Sequence, residues 1–219
     1  MGNTVILLGM PGVGKSTVLH RLKSSNVHFR QFSVRLFTMQ LLQGDSELGR
    51  YLRENNIVRP KAFMPDSVVE QIFAEFLKSL DAGDFLVIEG FPINHVQFHG
   101  MKRQLDRAGR QLDRVIVLDD EPDSILARIA LRRVCPACEL KNGAGLPVPA
   151  VAVRCPYCGG PLARRAEDDE AFFGQRCELF RQQLSFLSEL LPPEKIMMID
   201  VGKQNATEVI QNWRNNNGG

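Results

Sequence analysis

The sequence predicts an α/β protein: a parallel, five-stranded sheet flanked by helices and interrupted by two small inserts. Three observations predict it. A glycine-rich loop lies between an apolar strand and a helix, short apolar runs then alternate with helical stripes, and a paired C-x2-C segment breaks that alternation once. The 219 residues suffice for one large domain with insertions. Their 44% hydrophobic and 24% charged content is that of an ordinary globular chain, which argues against wholesale disorder.

The first strand, Val5-Ile6-Leu7-Leu8, runs into Gly9-Met10-Pro11-Gly12-Val13-Gly14-Lys15-Ser16-Thr17, a full match to G-x-x-x-x-G-K-[ST]. Thr17 to Leu22 continues as a helix, so the motif has the strand, loop, helix setting that its chemistry needs. Glycines let the backbone close around an anion, and the N–H groups from Gly12, Val13 and Gly14 through Lys15, Ser16 and Thr17 converge on one phosphate site. Lys15 is placed to reach terminal phosphates and the Ser16 hydroxyl to hold Mg2+. The sheet is therefore expected to be of the P-loop NTPase type.

The remaining elements follow in order. Val27 to Phe32 alternates as a half-buried strand does, and Val34 to Leu52 reads as one or two short helices broken near Gly44-Asp45. Ser67-Val68-Val69-Glu70 spells a capping box ahead of the helical stripe Val69, Ile72, Phe73, Phe76, Leu77 and Leu80. Phe85 to Ile88 is continuously apolar, as a central parallel strand covered on both faces must be. A helix over 96–108, a strand over 115–118, a helix over 122–133, a long helix over 169–191, a strand over 196–199 and a helix over 206–213 complete the alternation. On the helix over 122–133 Leu126, Ile129 and Ala130 are expected to face the sheet, and the tail Asn215 to Gly219 is expected to fray.

Cys135-Pro136-Ala137-Cys138 and Cys155-Pro156-Tyr157-Cys158 stand sixteen residues apart, the spacing of four-thiolate zinc sites. Gly143, Gly145, Pro147 and Pro149 between them favour loops, so this patch has no apolar core and a metal would order it. Four cysteines close a tetrahedron, which makes the site structural. Disulfides are the competing use of these thiols, and iron is the competing metal. Cys177 reads as a small buried side chain of the long helix.

Arg128 and Arg132 are four apart on the helix entering the insert, and Arg165 and Arg176 are eleven apart at its exit. Each alone would read as a solvated surface arginine. Together, beside a phosphate loop, they read as a clamp, since phosphoryl transfer needs positive charge and exclusion of water more than it needs a base. The formal net charge of +2 does not mark a nucleic-acid binder, and on the cysteine ribbon only Tyr157 and Arg154 have the required character. No apolar run reaches the ~20 residues of a membrane span, no leader or myristoylation signal precedes the first strand, and a cytoplasmic monomer is expected.

With these residues in view the chain resembles the adenylate kinase family, specifically its zinc-bearing members, over nearly its whole length. The family's loop GxPGxGKG[ST] is close to residues 9–17, with Ser16 for the usual glycine. Ser46 to Gly49 and Met64 to Val69 resemble the nucleoside-monophosphate (NMP) subdomain, Glu89-Gly90-Phe91-Pro92 stands where DGFP is usual, and Arg165 with Asp168 matches R-x-D-D after the lid. The resemblance implies core segments 1–33, 67–133 and 168–219, a helical acceptor-binding insert at 34–66 and a zinc lid at 134–167. It places Arg128 near the ATP base, has Arg132, Arg165 and Arg176 contact phosphates, and has Glu89 orient magnesium-bound water. Gly90 and Gln97 would meet the acceptor, AMP or another NMP, with Gln97 reading its base.

Two departures fall on the acceptor side. T-G-D-x-L-R is replaced by Val34-Arg35-Leu36-Phe37-Thr38-Met39, and DGFPR by Glu89-Gly90-Phe91-Pro92-Ile93, so two phosphate-gripping arginines become Met39 and Ile93. Arg35 is the nearest substitute, with Arg50, Arg53 and Lys61 as others. Three readings result: an NMP kinase-like phosphotransferase with an altered acceptor, a conventional adenylate kinase with substitute ligands, and an ATP-binding module without catalysis.

Overall fold

A computed structural model describes residues 2–57, 64–138, 148–164, 168 and 170–218. Strands β1 (Thr4–Gly9), β2 (Arg30–Ser33), β3 (Leu86–Glu89), β4 (Arg114–Asp119) and β5 (Ile196–Asp200) form one parallel sheet in the order β2-β3-β1-β4-β5. The helices are α1 (Lys15–Ser24), α2 (Val34–Gln43), α3 (Glu47–Glu54), α4 (Asp66–Leu77), α5 (His95–Arg107), α6 (Pro122–Leu131), α7 (Glu170–Leu190) and α8 (Ala206–Gly218).

The two-residue period of the strands sorts their side chains into two layers. Ile6, Leu8, Phe32, Ile88, Val115 and Val117 form one core with α4, α5 and Phe186 and Leu187 of α7. Val5, Leu7, Val87, Ile116, Leu118 and Ile199 form the other, against Leu19 and Leu22 of α1, Ile125 and Ile129 of α6, and Ile210 and Trp213 of α8. Both faces of β1 are thus closed, which explains why its sequence is continuously apolar. Truncating Leu7 to alanine there would cost about 2–5 kcal/mol. The Arg114 guanidinium lies 5.7 Å from the Trp213 ring at the rim of the second core.

Four local expectations are corrected. β2 starts at Arg30, not Val27, because Asn26 turns left-handed (φ 57°) and the Val27 N–H closes onto Leu22 O, spending residues 26–29 on leaving α1. The capping box is not used. Pro65 is the N-cap of α4, so Ser67 lies inside the helix and Glu70 instead accepts from Arg103 and Gln104 of α5. α6 is rotated one residue from the expected phase: Ile125 and Ile129 are buried, while Leu126 is 49% exposed and Ala130 also faces solvent. The tail is helical to Gly218, tied by Asn217 Nδ2 to Trp213 O (2.7 Å) and by Asn3 Nδ2 to Asn217 O (3.3 Å).

Candidate functional site

Three strand ends meet at the carboxyl edge of the sheet, where ligands bind in such folds. Gly9, Ser33 and Glu89, the last residues of β1, β2 and β3, all line one cavity of about 370 Å³. Lys15 and Ser16 reach it from the loop and α1, Arg35 and Leu36 from α2, Gly90 and Ile93 from the segment after β3, and Arg176, Leu179, Phe180 and Gln183 from α7.

The loop's glycines are required by its path. Gly12 has φ +90°, and a Cβ there would lie 2.6 Å from Ile129 Cγ1, so the loop sits directly on α6. Gly14, with φ +112°, is the N-cap of α1 and turns the chain into that helix. Lys15 Nζ donates to Gly9 O (2.6 Å) and Met10 O (3.2 Å), which holds the ammonium across the loop it is expected to serve. Val13 is buried, and its N–H donates to Met10 O (3.2 Å).

Glu89 shares the cavity with these groups and accepts a hydrogen bond on Oε2 from Gln31 Nε2 (3.0 Å). Gln31 carries no motif, and only its place on the neighbouring strand, two residues before the end of β2, could have pointed to it. The Glu89 carboxylate and the Ser16 hydroxyl that share this cavity are oxygen donors of the kind taken by Mg2+, a hard cation.

The predicted arginines go to different places. Arg128 pairs with Asp120, a carboxylate only 6% exposed at the end of β4. Arg132 is the C-cap of α6 with extended backbone (φ −63°, ψ 130°), so it leaves the helical face that Arg128 occupies. Its Nε donates to Asp168 Oδ2 (2.8 Å) and its Nη2 to Asp168 Oδ1. Arg176 lines the cavity, whereas Arg165 lies outside the described residues, as do Lys61 and Glu167.

On the acceptor side, Arg35, Gly90 and Ile93 line the cavity together. Gln97 is buried on α5. Its Oε1 accepts from Ile93 N (3.0 Å) and its Nε2 donates to Asp66 Oδ1 (2.8 Å), so its amide ties α4 to α5. Arg53 donates to Leu42 O and Gly44 O (2.7 and 2.8 Å), fixing the link between α2 and α3.

The cysteines converge as the spacing requires. The four sulfurs of Cys135, Cys138, Cys155 and Cys158 lie within 4.8 Å of one another, with Sγ–Sγ distances of 3.5 Å (Cys135–Cys158) and 3.7 Å (Cys138–Cys155). Zn–S bonds of about 2.3 Å put tetrahedral sulfurs roughly 3.8 Å apart, and a disulfide needs about 2.05 Å, so the cage fits a metal and not two bridges. Gly160 packs against this cage, where a Cβ would sit 3.3 Å from Cys158 Sγ. The neighbouring Cys158 thiol and burial push Cys138 up to about 12. Burial opposes ionisation of Cys155 too, but the backbone N–H groups of Tyr157 and Cys158 outweigh it and bring the thiol down to about 7. A short bridge of Val134 with Ala163 joins the two knuckles, one of Arg154 with Pro161 closes the second, and the Tyr157 ring stands edge-on to His20 of α1 at 6.0 Å. Cys177 is buried on α7, and burial raises its pKa.

A family model described as an AAA domain matches residues 8–136. Among curated proteins, adenylate kinase from Geobacter sulfurreducens is 30% identical over 210 residues, 94% of this chain and 92% of the relative. Adenylate kinase from Syntrophotalea carbinolica is 32% identical over 187 residues, 82% of each chain, and that from Fervidobacterium nodosum 27% identical over 208 residues, 94% of each. With that similarity spanning the phosphate loop, the sheet and the cysteine insert alike, the chain belongs to the adenylate kinase family.

Proposed function

We propose that this chain, an adenylate kinase-like nucleotide kinase, moves the γ-phosphate of Mg-ATP to a nucleoside monophosphate or related phosphate acceptor, with AMP a poor acceptor. The observation that carries this is that one cavity is lined by Lys15, Ser16 and Glu89 together with Arg35 and Arg176, with Ile93 among its apolar side chains. Lys15 and Ser16 line its donor end, and apolar Ile93 lines it with Arg35 at the acceptor end.

The residues divide the work. Loop N–H groups from Gly12 to Thr17 bind and orient the donor phosphates, and Lys15 places its charge where the transferring group gains negative charge. Arg176, with Arg132 and Arg165 from the two legs of the lid, adds positive charge around that group, and Arg128 with Asp120 borders the base of ATP. Ser16 and Glu89 are the side chains that would hold Mg2+ or its water, and the ion would supply positive charge to the donor phosphates. Gln31 fixes one oxygen of Glu89 for that task. The cysteine cage would hold Zn2+ as a purely structural ion, giving the lid (134–167) the stiffness to close over the core as one piece and shut out water. The acceptor insert (34–66) brings Arg35 to the cavity, and Gly90 leaves room for the phosphate. Gln97 acts from behind, by holding Ile93 and Asp66.

The test is ADP release from Mg-ATP against AMP, CMP, UMP, GMP, their deoxy forms and a wider panel of phosphomonoesters. Turnover of at least one acceptor, with an AMP kcat/KM below ~10⁶ M⁻¹s⁻¹, is expected. Efficient AMP turnover would return the conventional adenylate kinase reading, and ATP binding without turnover of any acceptor would make the chain a binding module.

A further inference from the structure

Beside Arg35 and Arg176 the cavity has a wall made by Leu36 of α2, Ile93 after β3, and Leu179 and Phe180 of α7. Four apolar side chains from three separate elements face the same space, and all four are only half-buried. Apolar surface left in water at the edge of a charged site favours a ligand that covers it. Two amides of this region are already used within the protein. Gln183 Nε2 donates to Pro92 O (2.6 Å), and both ends of the Gln97 amide are engaged by Ile93 N and Asp66.

We infer that the acceptor end of this cavity takes a phosphomonoester of an apolar alcohol, its phosphate between Arg35 and Arg176 and its hydrocarbon part along Leu36, Ile93, Leu179 and Phe180. This rests on the phosphotransfer reading and names its acceptor class. In the reaction an oxygen of the acceptor's phosphate dianion attacks the γ-phosphorus of ATP. A new P–O–P linkage forms, the bond from the γ-phosphorus to the β,γ-bridging oxygen breaks, and ADP leaves with that electron pair, so no proton, oxidant or reductant is required. A sugar phosphate would instead set hydroxyl groups against the wall, each losing water without a partner.

The experiment uses the full chain with methyl, butyl and hexyl phosphate, ribose 5-phosphate and AMP. Turnover is followed by ADP release and by phosphorus NMR of the diphosphate product, and binding by calorimetry with a non-hydrolysable ATP analogue and Mg2+ present. Each methylene buried against the wall should improve kcat/KM and binding about fourfold, so butyl phosphate should exceed methyl phosphate by roughly fiftyfold and ribose 5-phosphate by at least tenfold. Ile93→Thr should flatten this dependence on chain length. A flat series in the parent protein, or ribose 5-phosphate or AMP surpassing hexyl phosphate, overturns the inference while leaving phosphotransfer in place. If nothing is turned over, phosphotransfer fails, and the calorimetric series still decides the ligand class: a steep rise with chain length supports it and a flat one ends it.

Discussion

Arg132 and Asp168 face each other across the root of the cysteine insert, joined by a two-pronged ion pair in which the carboxylate is 3% exposed and the guanidinium 23%. The pair links the segment that enters the insert to the one that leaves it, 36 residues later in the chain. Removing one partner leaves the other charge largely buried, which costs about 3–5 kcal/mol in such settings. Asp168→Ala should therefore loosen the insert. Hydrogen exchange is expected to speed up at 134–138 and 148–164 before it does in β1 or β4, and unchanged exchange there would show that the pair does not bind the two legs.

Lys15→Met should abolish phosphoryl transfer and leave the fold intact, because the loop N–H groups already bind phosphate and the ammonium adds charge chiefly in the transition state. A loss of at least ~3 kcal/mol, roughly a hundredfold or more in turnover, is expected. Activity within threefold of the parent, in protein with an unchanged circular dichroism spectrum, would remove the loop from the reaction.

Elemental analysis should find one zinc per chain. Chelation should raise the exchange rate of the 134–164 region without unfolding the sheet, since both apolar cores lie elsewhere. Protein free of zinc and iron, with all four thiols titrating in the folded state, would contradict the cage.

Replacing Met39 and Ile93 together by arginine should raise AMP kcat/KM. Each restored charge-assisted pair is worth about 1.5–3 kcal/mol, so even the lower figure taken twice predicts roughly a hundredfold gain. Arg35→Ala should lower turnover of whichever acceptor the parent prefers. A double variant no better with AMP than its parent would place the acceptor phosphate away from both positions.

Glu70 supplies a pH signature. Burial alone would raise its carboxyl, but hydrogen bonds from Gln104 and Arg103 outweigh it and hold the group below the usual carboxylate range. A lowered folded-state pKa means that the contribution is present above the unfolded-state value and is lost as pH falls through the folded-state one. The Arg103 partner is 54% exposed, so the contribution is under about 1 kcal/mol. Glu70→Gln should thus lower the melting temperature slightly at pH 7 and match the parent once the pH has fallen through the folded-state value. An equal gap at pH 7 and pH 3 would mean that charge is not the cause.

The strands and the loop were legible because each rests on a local rule: β1 reads as covered on both faces, and the glycines at 12 and 14 have left-handed backbones that only such a motif demands. The two cysteine knuckles were legible for the same reason. What escaped were partnerships across the sheet. No spacing rule connects Gln31 with Glu89, Gln183 with Pro92, or Glu70 with α5, since each pair is brought together by packing of distant segments. The phase of α6 was misread by one position because Leu126 and Ile125 are equally apolar, and packing against Gly12 and the second core selects Ile125 and Ile129. The apolar wall of the cavity was visible only in Ile93, its other members being hidden in the stripes of α2 and α7.

Trp213 is the only tryptophan of the chain, 7% exposed on α8 against the sheet, with the Arg114 guanidinium over its ring. Its emission is therefore a built-in optical gauge of one layer alone. A denaturation followed at its wavelength reports when α8 parts from β4, and is blind to loosening of the cysteine insert. Two melting curves that separate, one from this fluorophore and one from metal release to a chromogenic chelator, would measure how independently the insert and the sheet come apart.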